Sequence, residues 1–314
     1  MPWDMRVEVE ERTFAETLLW KLSGISLQNL VFYVFQPRVA GRLQHAKRSG
    51  RIHNPVVVTN GFTHHPENLR GFDYVHVLAP YYLELANRLG IETGRWYFVP
   101  QPVDTRVFRP HPRDEARRRL GFKEDDFVVL VVGAISRYKR IEHAIREVAS
   151  LKPRCPSAKL LIVGQPERET PEIIRFGKKM LGGDVMFATA RYEDMPEIYP
   201  AGDVFALPTR KEITGNVFTE AMASGVPAIG DDFPVTRWII GDGGDTVDMR
   251  QGGELAEVLE KYANDDSYRS KRSRLARERA LEHFSLDAVA PLYLKMFESI
   301  AEEAGFRANA WDHP

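Results

Sequence analysis

The stretch "DFVVLVVGAISRYKRIEHAIREVASL" (126–151) decides the fold. Its first part, residues 126–133, is a continuous β-branched run that ends in glycine. Such a run is typical of a strand buried on both faces of a parallel sheet. The second part is an amphipathic helix, since its apolar residues fall on one helical stripe: Ile141, Ala144, Ile145, Val148 and Leu151. Together they predict one βα unit.

The same unit recurs on both sides of this stretch. Later strands are expected at 158–164, 184–188, 203–208, 226–230 and 245–249, with a helix after each. Earlier strands are expected at 30–35, 54–60, 74–80 and 96–100, and the alternating "MRVEVEE" (5–11) predicts one more. This alternation predicts an α/β fold of two Rossmann-like domains with parallel sheets, which face each other across a ligand-binding cleft.

A proline-rich segment, "PQPVDTRVFRPHPRD" (100–114), predicts the linker between the domains. We therefore assign residues 1–108 to a shortened N-terminal Rossmann-like domain and 109–290 to a C-terminal one. At roughly 30 residues for each βα unit with its partner strand, the N-terminal series looks about two units short. Three helical patterns follow the second sheet, at 253–263, 267–284 and 286–303.

Composition excludes several classes of protein. A net charge of −1 over 314 residues disfavours a nucleic-acid binder. The single cysteine, Cys155, excludes a disulfide framework and a cysteine-based metal site. No apolar run is long enough to span a membrane, and the N-terminus lacks a signal-peptide pattern. These features predict a cytoplasmic protein, and abundant Arg and Glu suggest a thermophilic source.

The loop after the first strand of the central stretch carries candidate phosphate ligands. Lys139 opens a helix shortly after Gly133, and helix N-termini attract anions. Arg137 could add a second, bidentate donor. The alternative is that both cations are solvated residues of a connecting loop.

A second loop, "KEITGNVFTEAMASGVPAIG" (211–230), holds two carboxylates around a turn. Glu212 precedes the helix, Glu220 lies in its second turn, and Gly215 lets the chain bend between them. If the turn brings them together, each carboxylate can accept hydrogen bonds from a pair of sugar hydroxyls. The alternative is an exposed Glu220 and a Glu212 that is favoured by the helix dipole.

These motifs resemble those of the retaining GT-B glycosyltransferases, in the large nucleotide-sugar-dependent family 4 (glycosyl transferases group 1). The Glu-x7-Glu motif of that family is met by Glu212 and Glu220. The similarity extends over roughly residues 50–300 and includes "YFVPQPVDTRVFRP" (97–110), "VVGAISRYKRIEHAI" (131–145) and "ALEHFSLDAVAPLYLKMF" (280–297). The resemblance implies that residues 291–314 form a helix crossing back to the N-terminal, acceptor-side domain.

The resemblance also implies a role for each matching residue. Lys139 and Glu212 would be catalytic, Lys139 at the donor diphosphate and Glu212 at the hydroxyls of the transferred hexose. Glu220 would hold the ribose hydroxyls, and the loop 188–194 would lie near the base. The implied donor-binding residues are Gly133, Arg137, Arg191, Thr214, Gly215, Asn216, Val217 and Glu220.

No metal or other cofactor is implied, and the nucleotide-sugar is a substrate. The acidic pairs at 125–126 and 231–232 are interpreted as loop acids rather than metal ligands. The implied partners are the nucleotide-sugar donor and a glycan, lipid or small-molecule hydroxyl acceptor, without nucleic acid. The basic stretches at 38–53 and 269–279 are interpreted as solvated helix faces. A peripheral contact with the inner face of the membrane and an oligomer are left open.

The sequence departs from the family pattern at several positions. Ala134 stands where the family carries arginine, and Gln101 and Pro102 replace Asn and Gly. His64 is a candidate contact from the N-terminal domain. The leading function is transfer of a hexose to a hydroxyl with retention. The alternative is a catalytically weak subunit that binds nucleotide-sugar and acts with a partner chain.

Overall fold

A computed structural model describes residues 3–22, 29–61 and 65–306. The chain forms two compact units. The first unit contains Met1–Gln101 and Val289–Pro314, and the second unit contains Pro102–Ala288. The sequence-based boundary at 108/109 falls seven residues after the division at 101/102, and the one at 290/291 falls two residues after the division at 288/289. The predicted N-domain contact, His64, lies outside the described residues.

The first unit contains a four-stranded parallel sheet of order β1-β2-β3-β4. Its strands are short, and β2 and β3 are fully buried. In chain order the elements are α1 (Trp3–Leu22), β1 (Phe32–Val34), α2 (Pro37–Arg48), β2 (Val56–Thr59), a 3-10 helix (Pro66–Leu69), β3 (Tyr74–Val77), α3 (Pro80–Arg88) and β4 (Trp96–Phe98).

The strand predicted at 5–11 is wrong, because this segment belongs to α1. Its alternation of apolar and charged residues covers only a few positions. Further along the helix, Ala15 and Leu19 are buried at helical spacing. Glu11 and Glu16 form ion pairs with Arg38 and Arg42 of α2. The longer helical pattern and the ion pairs with α2 therefore make residues 5–11 helical.

The last helix, α12 (Leu286–Glu303), completes the core of the first unit. From Val289 onward one face of the helix joins a buried cluster, whereas Leu294 on another face is exposed. At its end, the hydroxyl of Tyr97 donates to Glu303 Oε1 at 3.1 Å, and Arg95 pairs with the same carboxylate. The described part of this helix from Val289 onward thus belongs to the first unit. The cluster consists of Val57, Tyr74, Val99, Val289, Met296 and Ile300.

The second unit contains a six-stranded parallel sheet of order β10-β9-β8-β5-β6-β7. The predicted α/β fold with two parallel sheets is confirmed. The elements are α4 (Arg113–Leu120), β5 (Phe127–Val132), α5 (Ile141–Leu151), β6 (Ala158–Val163), α6 (Thr170–Leu181), β7 (Val185–Ala188), α7 (Met195–Ile198), β8 (Val204–Leu207), α8 (Asn216–Ala223), β9 (Ala228–Asp231), α9 (Pro234–Ile240), β10 (Gly244–Val247), α10 (Glu254–Asn264) and α11 (Asp266–His283).

The strand order of this sheet reverses between β5 and β8. From β5 the chain proceeds outward through β6 to β7, and then returns to place β8 on the other side of β5. Such a switch point is where open parallel sheets bind ligands, beyond the carboxyl ends of the strands. The loops after β5 and β8, residues 133–140 and 208–215, therefore lie side by side.

The basic helix α11 is only in part the solvated face that its composition suggested, since Arg274 is 63% exposed but other arginines bind backbone carbonyls. Arg277 donates to the carbonyl oxygens of Ala223, Phe108 and Thr105 at 2.6, 2.9 and 3.1 Å. Arg279 donates to the carbonyl of Ile239 at 2.8 Å. These arginines cap the C-terminal ends of α8 and α9, where carbonyl groups lack partners within the helix. These hydrogen bonds stabilise the second unit.

The basic stretch in α2 also has partners within the first unit. Lys47 pairs with Asp73 at 2.9 Å, and Arg48 donates to the carbonyl of Gly71 at 2.8 Å. Over the described part of the chain, no helix has both the length and the apolar content of a membrane span.

Candidate functional site

The structure joins the two predicted catalytic residues. Lys139 Nζ lies 2.6 Å from Glu212 Oε1. Lys139 follows β5 and Glu212 follows β8, so the contact depends on the pairing of these two strands. The side chains retain only 20% and 9% of their exposure. A partly buried ion pair of this kind is screened less than a surface pair and fixes both loops.

Lys139 packs over Gly133. Gly133 ends the strand with a φ of 150°, and a Cβ built on it would lie 3.6–3.7 Å from the methylene groups of Lys139. The lysine stem therefore lies across the glycine, and its ammonium group extends toward the loop after β8. The Lys139 ammonium also lies 5.6 Å from the ring centroid of Tyr138. Burial, together with the charge of Glu212, raises the pKa of Tyr138.

Gly215 forms the turn between the two glutamates. Its φ of 63° and ψ of 30° are left-handed, a conformation that glycine adopts without steric cost. It precedes α8, and no side chain caps this helix. The first N–H groups of α8, including those of Asn216 and Val217, have no carbonyl four residues earlier within the helix. They are placed to donate to an external acceptor.

Glu220 occupies a different environment from Glu212. It is buried in the second turn of α8, and its Oε2 accepts a hydrogen bond from the hydroxyl of Tyr199 at 2.7 Å. Burial raises the pKa of Glu220 to about 7, although hydrogen bonds from Tyr199 and Tyr192 oppose the rise. This carboxyl can therefore exchange a proton near neutral pH, when an ordinary glutamate is fully ionised.

Two of the predicted arginines have other partners. Arg137, which is 60% exposed, pairs with Glu172 of α6 at 2.5 Å. Arg191, which is 78% exposed, pairs with Asp194 in its own turn at 3.0 Å. The structure does not join either of them to the Lys139–Glu212 pair. Their predicted contacts with a donor remain predictions.

Sequence reasoning missed three residues of this region. Tyr199 is fully buried, and Tyr192 lies within the loop 188–194; both contact Glu220. Neither has a spacing in the sequence that points to Glu220, so only the fold reveals the contact. The third is Arg140, which has left-handed backbone angles (φ 52°, ψ 38°) and donates from Nη1 to the carbonyl of Pro208 at 3.3 Å.

The acidic pairs interpreted as loop acids bind backbone groups. Asp231 accepts from the N–H of Met249 at 3.0 Å, and Asp126 accepts from the N–H of Lys123 at 2.8 Å. Burial raises the pKa of Asp231, and the charges of Arg210 and Arg140 partly oppose this. Within residues 3–22, 29–61 and 65–306, no three His, Cys, Asp or Glu side chains are grouped as for a metal ion.

The chain is similar to known proteins in sequence and in fold. The family model described as "Glycosyl transferases group 1" matches residues 112–279, more than half of the chain and including both loops. The chain is 29% identical to D-inositol 3-phosphate glycosyltransferase of a Nocardioides species, over 63% of this chain and 47% of the relative. It is 24% identical to N-acetyl-alpha-D-glucosaminyl L-malate synthase of Bacillus anthracis, over 64% of this chain and 53% of the relative. The chain thus spans about half the length of these relatives.

Solved structures share the fold at low identity. Sucrose-phosphate synthase from Thermosynechococcus elongatus superposes with a TM-score of 0.83 at 20% identity, covering 96% of this chain and 81% of that one. HepE from Anabaena, solved in complex with UDP-glucose, superposes with a TM-score of 0.75 at 17% identity, covering 92% and 82%. These neighbours show a GT-B fold with two Rossmann-like sheets.

Proposed function

Because the chain belongs to the glycosyl transferases group 1 family, we propose that it transfers a hexose from a nucleotide-diphosphate-sugar to a hydroxyl acceptor, with retention of the anomeric configuration. The observation that carries this proposal is the contact between Lys139 and Glu212 at the switch point of the second sheet. It brings a cation suited to phosphate next to a carboxylate suited to hydroxyls. A nucleotide-sugar carries both groups, joined through one glycosidic oxygen.

Lys139 is assigned to the diphosphate. Its ammonium group would neutralise the negative charge that develops on the leaving nucleotide as the glycosidic bond breaks. The N–H groups at the start of α8, from Asn216 and Val217, would donate to the same phosphates or to the sugar. Thr214 and Gly215 lie in the turn before them, which makes their backbone the next nearest source of donors.

The two glutamates are assigned to different hydroxyl pairs. Glu212 lies beside the lysine that would hold the diphosphate, so it is closest to the sugar being transferred. Glu220, one turn into α8, is assigned to the ribose. Each carboxylate can accept two hydrogen bonds in the geometry that vicinal hydroxyls offer.

Retention is assigned in this proposal to attack on the face that the nucleotide leaves, without a covalent intermediate on Glu212. In the donor complex the hydroxyls of the transferred sugar would occupy the Glu212 carboxylate, so we assign it no attack on the anomeric carbon. The acceptor oxygen would instead attack the anomeric carbon from the face that the nucleotide leaves. The acceptor–carbon bond forms, the carbon–phosphate oxygen bond breaks, and the acceptor proton passes to a phosphate oxygen of the leaving nucleotide.

A thermal-shift panel followed by a transfer assay tests the proposal. UDP-glucose is the first donor to test because a structural neighbour binds it, and UDP-N-acetylglucosamine, GDP-mannose and ADP-glucose complete the panel. Inositol 3-phosphate and malate are the first acceptors, by analogy with two relatives. We expect stabilisation by one donor and transfer with that donor. Stabilisation by none of them would contradict the donor assignment.

The second candidate function is a subunit that binds nucleotide-sugar and acts with a partner chain. It is favoured by the small sheet of the first unit, which has four strands against six in the second. This candidate predicts stabilisation by a donor without hydrolysis or transfer by the chain alone. Activity of the purified chain would rule it out.

A further inference from the structure

Arg140 holds a backbone conformation that its side chain disfavours. Its φ of 52° is left-handed, and among the described non-glycine residues only Asn29 shares a positive φ. Left-handed angles place the Cβ of an L-residue close to the following carbonyl, a cost that glycine does not incur. Strain of this kind persists where the surrounding structure enforces it, and it often accompanies function.

The Arg140 guanidinium links the same two loops as the catalytic ion pair. Its Nη1 donates to the carbonyl of Pro208, the residue that follows β8. Its Nη2 lies 3.4 Å from Nδ1 of His143, within α5. Two contacts therefore cross from the loop after β5 to the loop after β8: Lys139 with Glu212, and Arg140 with Pro208.

The two crossing contacts differ in what a donor does to them. On the proposed function, the diphosphate attracts the Lys139 ammonium and the sugar hydroxyls occupy the Glu212 carboxylate. The ion pair between them then weakens, because both partners acquire competing contacts. The bond from Arg140 to the Pro208 carbonyl involves neither group and survives donor binding.

We propose that Arg140 is a positioning residue that keeps the two loops in register while Lys139 and Glu212 turn from each other to the donor. The inference rests on the proposed function. Arg140 touches no reacting atom and acts through the backbone of Pro208, four residues before Glu212. Its left-handed backbone directs the guanidinium across the switch point, which explains why arginine rather than glycine occupies this strained position.

Three substitutions at Arg140 distinguish the effect of losing the guanidinium from the effect of the strained backbone. R140G removes the guanidinium and relieves the backbone, R140A removes the guanidinium and keeps the strain, and R140K keeps a charge and a donor. R175A is the matched control, since Arg175 is exposed on α6 and donates only to the carbonyl of Pro171 in its own helix. For each full-length variant we would measure the melting temperature without ligand, the shift caused by the donor, and kcat and KM.

We expect R140G to melt at or above the wild-type temperature without ligand, yet to have a donor KM raised about tenfold, as for one lost hydrogen bond to a charged group. R140A should show the same rise in donor KM with no gain in melting temperature. R140K should have a donor KM between those of R140A and the wild type. Acceptor KM should not change. A purely structural loss would instead reduce the active fraction and lower kcat without raising the donor KM.

An R140G variant with wild-type donor KM would overturn the inference. So would an R140G variant that melts well below the wild type, because the guanidinium would then be holding the fold. If the wild-type chain neither binds nor transfers any nucleotide-sugar, the proposed function fails and this inference fails with it. Wild-type activity together with an unaffected R140G would overturn this inference alone.

Discussion

Glu220 is an acid whose protonation depends on its burial. It is buried in α8, where the hydroxyls of Tyr199 and Tyr192 donate to its carboxylate, and burial raises its pKa from the ordinary 4.5 to about 7. Near neutral pH the site therefore contains both the neutral acid and the carboxylate. The two forms differ toward hydroxyl groups, because the carboxylate only accepts hydrogen bonds whereas the neutral acid donates one from its O–H.

We predict that donor affinity rises with pH through about pH 7, because hydroxyl groups bind the ionised Glu220 better than the neutral acid. E220Q should bind donor more weakly and without this pH dependence. Isothermal titration with an intact nucleotide-sugar between about pH 6 and pH 8 measures both variants. Equal pH profiles for wild type and E220Q would contradict the assignment.

The same pKa determines how stability changes with pH. The folded-state pKa of Glu220 is raised above its ordinary value of 4.5, so the folded protein retains this proton more tightly than the unfolded chain. Its contribution to the free energy of unfolding is therefore present at low pH and is lost as the pH rises from about 4.5 to 7. E220Q should lack this loss, which melting curves across that window would reveal.

Lys139 should matter more for transfer than for folding. We predict that K139A lowers kcat about 100-fold, the usual effect of removing one group that stabilises a developing negative charge. K178A is the control, because Lys178 is exposed on the last turn of α6. Steady-state transfer rates at saturating donor provide the measurement. A K139A variant with an unchanged rate would show that another group holds the diphosphate.

At the scale of elements, the entrance of α8 is the least tolerant part of the site. A Cβ on Gly215 would lie 2.5 Å from Cδ1 of Ile239, and the φ of 63° disfavours any other residue. Both constraints act on the turn that separates Glu212 from Glu220. The start of α8, the turn before it and α9 therefore pack closely at Gly215.

We predict that G215A lowers the free energy of unfolding by about 2–4 kcal/mol, from left-handed strain plus the clash with Ile239. G183A is the matched control, since an added Cβ there meets nothing within 4 Å. In G215A/I239V the clashing methyl is absent, so the double variant should lose less than the sum of the single changes. Denaturant unfolding measures all four; strict additivity would contradict the clash.

The sequence predicted these elements unevenly, for physical reasons. A β-branched apolar run such as residues 127–132, followed by a glycine, is typical of a strand buried on both faces of a parallel sheet, so the sequence predicted β5. The helix α4 was missed because its charged "RDEARRRL" (113–120) lacks an apolar stripe; Arg117, which it buries, is paired with Asp203. Spacing identified Glu212 and Glu220, but not Tyr199 or Arg140, whose contacts depend on the tertiary arrangement.

At the scale of the whole molecule, the first unit is assembled from both ends of the described chain. Its sheet comes from residues before 102, whereas α12 supplies half of the buried cluster from residues after 288. The second unit is continuous and lies between these two segments. The core of the first unit therefore closes only after α12 has been made and has packed on the sheet.

We predict that I300A destabilises the first unit by about 2–4 kcal/mol, because it leaves a cavity in the cluster. L294A is the control on the same helix, since Leu294 is 59% exposed. Hydrogen exchange should show faster exchange in β2 and β3 of I300A, with β5 unchanged. Equal loss of protection in both sheets would show that the two units do not unfold separately.

The ion pair between Lys139 and Glu212 has a consequence for which molecules this site selects. Inorganic phosphate could engage Lys139 but leaves Glu212 buried without its counterion, and a free sugar does the reverse. Phosphate alone or a free sugar alone breaks the ion pair and provides a new partner for only one of the two side chains. On the proposed function, only a molecule that presents anion and hydroxyls together compensates both, so the resting pair discriminates against the fragments of its own substrate.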